Sequence, residues 1–252
     1  MKIGLVLSGG SARGIIHLGV IKALGEIGIR PGAVSGVSAG SIIGALHLAG
    51  FSPEESMRFI VENKFYTWTK MLWGKAGLLD MGKVGKLLSR YLPEKFEDLG
   101  GELHVSATDV VSGETIWFNS GELIKPICGS SAIPVVFNPV AIGNYQLLDG
   151  GILNNFATEP LEKTCDRIIG VHVNHMGADS DGSIGMRDVI DRVAHLAISD
   201  AVRSKKNRCH VFIEPQGMNR FNPMSLGKAQ EMFDVGYAHT MQMRAELEKL
   251  MQ

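Results

Sequence analysis

Ala33-Val34-Ser35-Gly36-Val37-Ser38-Ala39-Gly40 is the stretch that decides the fold. A short strand-like run ends in the pentapeptide Gly36-Val37-Ser38-Ala39-Gly40, and an apolar helical run extends from it to about Ala49. This is the G-x-S-x-G pattern, in which serine stands on a sharp turn between strand and helix and the flanking glycines let the two elements close around it. A helix opening at Ala39 would favour negative charge beside Ser38. The competing reading is an ordinary strand-to-helix turn with Ser38 as its capping residue; glycine is common here, with 31 in 252 residues.

Upstream, the same order occurs once more. Ile3 to Leu7 reads as a buried strand, Ser8 to Gly14 as a glycine-rich loop, and Ile15 to Ile27 as a helix, with Ile16, Val20, Leu24 and Ile27 at helical spacing and Gly28 as its stop. Strand, loop and helix repeated twice predict an α/β fold with parallel strands at its centre. Downstream, a helix begins at Pro53 with Glu54 and Glu55 in its first turn. Leu103–Val110 and Glu114–Asn119 form a hairpin, Glu122–Ser131 a helix, and Val135–Ile142 with Tyr145–Leu148 a second hairpin turning at Gly143-Asn144. Ile168–Val173 and Val211–Glu214 read as strands, and Met186–Asn207 and Leu226–Met251 as helical regions. Without repeats or linkers, residues 1–252 are expected to form one domain. The segment 64–82 differs in character, since Phe65, Tyr66, Trp68, Met71, Leu72 and Trp73 lie among lysines. It reads either as core packing or ordinary loop, or as a mobile flap that touches lipid or covers a substrate groove, because Trp and Tyr beside Lys suit a membrane interface.

Composition narrows the function. Net charge is −1, with 45% hydrophobic and 20% charged residues, and no basic stripe of the kind that marks a nucleic-acid binder. Cys128, Cys165 and Cys209 are widely spaced, which indicates neither a disulfide framework nor a zinc site. No run approaches the roughly 20 apolar residues of a membrane-spanning helix. The expectation is a cytoplasmic protein with peripheral membrane contact, of undetermined oligomeric state, using no metal or other cofactor.

Acyl transfer requires a nucleophile, a base, and donors for the tetrahedral oxyanion. Ser38 supplies the first. The loop Gly9-Gly10-Ser11-Ala12-Arg13-Gly14 is the donor candidate, because glycines let backbone N–H groups converge on a small anion. A dinucleotide loop would need glycine where Ser11 stands, and a Walker A loop needs Gly-Lys-Ser or Gly-Lys-Thr. The base is less obvious. His172, His175, His195, His210 and His239 lie after the elbow and His17 before it, yet none occupies a turn that singles it out. Asp149-Gly150-Gly151 ends a strand-like run, so Asp149 could face the elbow or sit in a plain turn.

Taken together these blocks resemble the patatin-like phospholipases, bacterial lipid acyl hydrolases of the patatin type. Ser11-Ala12-Arg13-Gly14 is similar to the family's oxyanion motif, Gly36-Val37-Ser38-Ala39-Gly40-Ser41 to its nucleophile elbow, and Asp149-Gly150-Gly151 to its D-G-G/A motif. Ala107-Thr108-Asp109 and Ser130-Ser131-Ala132-Ile133-Pro134 also look like family blocks. The resemblance implies a three-layer α/β/α fold with a mixed, mainly parallel sheet. It implies a Ser38–Asp149 dyad without histidine, an oxyanion hole of Gly9, Gly10 and Ser11 amides, and an Arg13 that orients the loop or meets an anionic head group. The substrate expected is a fatty acyl ester of a phospholipid or lysophospholipid. Two departures stand out: Ser11 occupies the place of a third glycine, and a proline common near Ala157 is missing. An acyltransferase using the same dyad is the alternative, although Val37 stands where malonyl-transferase-like enzymes place histidine. A non-catalytic lipid- or partner-binding regulator is the third reading.

Overall fold

The computed structural model describes residues 1–63, 80–175, 196 and 201–252. Strands β1 (Ile3–Leu7), β2 (Ala33–Val37), β3 (Glu102–Asp109), β7 (Arg167–Val171) and β8 (Val211–Ile213) run parallel. The remaining strands, β4 (Glu114–Phe118), β5 (Val140–Ile142) and β6 (Tyr145–Leu148), are antiparallel to their neighbours. The order is β5-β6-β3-β2-β1-β7-β8, with β4 added on β3. This is a mixed, mainly parallel sheet.

Alternation along β1 explains the layers. Leu5 and Leu7 join a core with Val34, Leu103, Val105, Ile169 and Val171. Against it pack α1 (Ile15–Ile27), α2 (Ala39–Leu48) and, later in the chain, α8 (Ala229–Gln242). Val6 points the other way, into a smaller cluster with Ala33, Ile168, Phe156 and Leu161 of α7 (Glu159–Glu162). A strand with apolar residues on both faces must be covered on both, and period-two side chains accomplish this. α3 (Pro53–Glu62) starts with a full capping box at Ser52 and Glu55. α4 (Gly82–Leu88), α5 (Ile124–Ser130) and the short α6 (Gly151–Asn154) complete the set before α7, and α9 (Arg244–Lys249) comes after α8. Among the described residues no helix is long and apolar enough to cross a membrane.

Pairing along β3 positions two strand ends against each other. Val105 and Ser106 pair with Gly36 and Val37 of β2 and also with Phe118 and Trp117 of β4, so β2 and β4 lie on opposite edges. Thr108 and Asp109 pair with β4 and also with Leu148 and Leu147 of β6. β6 therefore shares the edge of β2 but runs the opposite way. The two strands point at each other end to end, and one residue further along either register reaches Ala107.

The sequence reading of the first two strand–loop–helix units matches, including Gly28, which closes α1 at φ 95°. The second predicted hairpin is shorter than expected. Val135 to Pro139 is not strand: the 136 and 137 amides turn back to the Ile133 carbonyl, and Val135 sits at φ 69°. Pro134 and Pro139 supply no N–H to a ladder, which outweighs the strand preference of Val135 and Val136. The last helical region divides at Met243 into α8 and α9, beside a Thr240 hydroxyl that donates back to the Gly236 carbonyl. Of the segment 64–82, residues 64–79 lie outside the described residues, as does most of the helix expected over Met186–Asn207. All three cysteines are free, Cys128 buried and the other two half-buried.

α1 and α8 touch backbone to backbone. A Cβ on Gly19 would stand 2.0 Å from the Phe233 carbonyl oxygen, and one on Gly236 2.2 Å from that of Ile16. Alanine normally gains about 1 kcal/mol over glycine in a helix. Here Gly236→Ala should instead cost about 1–3 kcal/mol by forcing the helices apart. Urea denaturation of the variant measures this, and a stabilised protein would show that the crossing is looser than described.

Candidate active site

The elbow is strained, and its supports are visible. Ser38 has φ 52° and ψ −122°, a region that costs a non-glycine residue about 1–3 kcal/mol. Three hydrogen bonds offset this. The Ser38 N–H donates to Ser130 Oγ (2.9 Å), while its carbonyl accepts from the Ser41 N–H (2.9 Å) and Ser41 Oγ (2.7 Å). At about 0.5–1.5 kcal/mol each they are of the size needed to hold it. Close approach forbids side chains on either flank: a Cβ on Gly36 would lie 2.5 Å from the Gly40 carbonyl oxygen, and one on Gly40 2.3 Å from that of Leu7.

Ser38 does not cap α2, since its side chain makes no capping bond. Its Oγ donates instead to Asp149 Oδ2 at 2.6 Å. Asp149 comes directly after the last residue of β6, so the head-to-head meeting of β2 and β6 is what joins the pair. The segment around α5 ties both halves together. Ser130 gives its Oγ to the Ser38 amide and its carbonyl to the Gly150 amide, the Ala132 carbonyl accepts the Asp149 N–H, and Thr108 Oγ1 donates to the Asp149 carbonyl. Gly150 lies against the Ser106 carbonyl, and the Gly151 N–H donates to Asp149 Oδ1 at 2.8 Å.

The Asp149 carboxyl is closed in by protein although the residue keeps some exposed surface. Burial pushes its pKa up to about 6, against the opposing effect of hydrogen bonds from Ser38 and Gly151. Ionisation is costly in a poorly solvated place, so the carboxylate becomes a better proton acceptor.

The glycine loop lies against Ser38. A Cβ on Gly9 would be 3.2 Å from Ser38 Cβ. The Gly9 N–H is directed to the Asn155 carbonyl (3.4 Å) and the Gly9 carbonyl accepts from Asn174 Nδ2 (2.7 Å). Among the described residues the amides of Gly10, Ser11 and Ala39 have no hydrogen-bond partner. Ser11 has φ 49°, the left-handed conformation that glycine adopts at less cost. Arg13 is 4% exposed and its Nε donates to the Phe221 carbonyl, while the Ala12 N–H donates to that of Pro223; both bonds fasten the turn at Ser11–Gly14 to the segment before α8. Gly14 packs on Ala39.

Among the described residues no histidine hydrogen-bonds to Ser38 or Asp149. His17 is buried with Nε2 at 2.9 Å from the Ser8 carbonyl, and burial lowers its pKa to about 4. His172 Nδ1 pairs with Glu214. His195 lies outside the described residues. Asn155 and Asn174 were not legible as site residues, because an asparagine after a strand or in a turn carries no distinguishing pattern. Ser130 and Thr108 did fall inside blocks that stood out in the sequence.

A parallel-sheet α/β fold with a strained serine elbow facing a carboxylate defines the class of the chain. The patatin-like phospholipase profile matches residues 5–162, and the chain belongs to that family. An uncharacterised NTE family protein of Mycobacterium tuberculosis is 32% identical over 187 residues, covering 69% of this chain and 49% of that protein. Lysophospholipase NTE1 of Kluyveromyces lactis is 26% identical over 272 residues, covering 94% of this chain and 19% of that one. The chain thus spans about half the length of the mycobacterial relative and about a fifth of the yeast one. VipD from Legionella pneumophila shares the fold, with a TM-score of 0.56 at 18% identity over 97% of this chain and 67% of that one.

The opposing causes at Asp149 make a prediction. Carbon-13 NMR of the labelled carboxyl should show titration near pH 6, and Ser38→Ala should move it higher by removing a bond that favours the charged form. A carboxyl titrating near its free value of about 3.9 would show that the site is well solvated.

Proposed function

We propose that this protein is a serine lipid acyl hydrolase that cleaves fatty acyl esters of phospholipids or lysophospholipids. The 2.6 Å hydrogen bond from Ser38 Oγ to Asp149 Oδ2, made from a strained elbow, carries the reading. Membership of the patatin-like phospholipase family supports the lipid ester, and the yeast relative named a lysophospholipase supports the lysophospholipid form.

In this reading Ser38 Oγ attacks the ester carbonyl carbon and its proton passes to Asp149 Oδ2. The oxyanion forms beneath the glycine loop, where the Gly10 and Ser11 amides donate to it and Gly9 sets the loop in place. The positive end of α2 adds to the stabilisation. Collapse breaks the bond to the leaving alcohol, whose oxygen takes the proton from Asp149. Water then attacks the acyl-enzyme, giving its proton to Asp149, and the fatty acid leaves as Ser38 recovers its hydrogen. One carboxyl serves as base and acid in turn, which a pKa near 6 suits better than the free value. The segment 64–82 remains our candidate for contact with the lipid surface, within a single domain spanning the chain.

A fluorophosphonate followed by intact-mass and peptide mapping tests the reading. One adduct is expected on Ser38, absent in Ser38→Ala and slowed in Asp149→Asn. The Asp149→Asn protein should remain at least as stable as wild type at pH 8, because the substitution removes a carboxylate that ionises at a cost in the fold. No adduct in the presence of liposomes would sink the hydrolase. For hydrolysis, kcat/KM should fall about tenfold per pH unit below pH 6, since the base form of Asp149 is lost there. A flat profile down to pH 5 would remove Asp149 from the role of base.

A further inference from the structure

Resting on the proposed hydrolase, we propose that Asn174 is a positioning residue that sets the orientation of the oxyanion-binding peptide. Among the described residues it reaches that loop through one hydrogen bond, Nδ2 donating to the Gly9 carbonyl at 2.7 Å.

Peptide geometry gives that bond its leverage. The Gly9 carbonyl and the Gly10 N–H belong to one planar peptide unit and, in the trans form, point in opposite directions. The described residues hold no cis bond. Fixing the carbonyl on Asn174 therefore fixes the Gly10 N–H on the side facing away from Asn174, and among the described residues that N–H is without a partner. Glycine gives this unit little resistance of its own to rotation. In the reverse orientation a carbonyl oxygen would replace the donor, and the site would repel an oxyanion.

Surroundings suit such a clamp. Asn174 is 5% exposed, so its bond faces little competition from water. A Cβ on Gly10 would meet Val173 Cγ2 at 2.5 Å and Asn174 Oδ1 at 3.4 Å, so the loop rests directly on these two residues. Their own backbone is anchored, with the Val173 N–H donating to Ser8 Oγ at 3.2 Å. On the other side the Gly9 N–H reaches the Asn155 carbonyl only at 3.4 Å, a weaker hold. Among the described residues Asn174 thus makes the shorter of the two bonds to Gly9. The bond needs a donor, which the carboxamide supplies and a carboxylate of the same shape lacks.

Asn174→Asp keeps the shape and removes the donor. On a chromogenic medium-chain ester, kcat should fall about 30- to 100-fold, somewhat less than the 10²–10³ lost with an oxyanion donor itself, while KM changes less than about twofold. The deficit relative to wild type should narrow as pH falls and the substituted carboxyl regains a proton to donate. Asn174→Ala should lose kcat similarly, with no narrowing. Thermal midpoints of both variants, read alongside, separate positioning from folding. A kcat within about threefold of wild type, a KM rising as far as kcat falls, or a deficit that tracks lost stability would overturn the clamp. Wild-type protein that turns over the ester while Asn174→Asp does so equally well defeats the clamp alone. Wild-type protein that neither hydrolyses the ester nor takes a fluorophosphonate on Ser38 defeats the hydrolase reading, and the clamp falls with it.

Discussion

Everything at the site depends on two strands that meet end to end along one edge of β3. β2 arrives from the parallel part of the sheet and β6 from the antiparallel part, and neither can extend past Ala107 without colliding with the other. Each must leave the sheet there. β2 leaves by the elbow at Ser38 and β6 by the turn at Asp149-Gly150-Gly151, so hydroxyl and carboxyl are brought together by the departure of their backbones. A parallel sheet alone opens clefts at the carboxyl ends of its strands. This one closes part of that cleft with an opposed strand and puts a carboxylate in the closure.

The strain that results is distributed. Ser38 bears a backbone conformation that serine avoids, and Ser130 and Ser41 hold it with bonds whose summed strength is of the same order as the cost. Ser130 supports both halves of the pair, through its hydroxyl on one side and its carbonyl on the other. The hydroxyl–carboxyl distance is therefore set by α5 as much as by the strands. The same elements close in on the carboxyl, and that burial raises its pKa.

The glycine loop is governed by a different constraint. A loop whose N–H groups are kept from its own backbone must still be held. Here the holding bonds fall on neighbouring groups: the carbonyl of Gly9, the amide of Ala12 and the side chain of Arg13. Among the described residues the amides of Gly10 and Ser11 are left over. Ser11 tolerates the left-handed backbone that a glycine would take at this place, so the departure from the family pattern changes local strain and retains the N–H.

By itself the sequence determined what local chemistry determines. Helical spacing marked α1, Gly28 marked its end, and the small residues around Ser38 marked the elbow, because each reflects steric rules acting over a few residues. The Asp149 motif was legible as a turn with a carboxylate. Its role rested on a resemblance, since nothing in the residues flanking Asp149 states that Ser38 is near. That fact belongs to register, which pairs residues far apart in the chain and is fixed only when the sheet assembles. The turn at Val135 was within reach of the sequence too, since Pro134 and Pro139 defeat a strand-like run. Tertiary structure alone showed Asn155 and Asn174 at the loop. A single side-chain amide leaves no periodic trace in a sequence, and its importance comes from which carbonyl it meets.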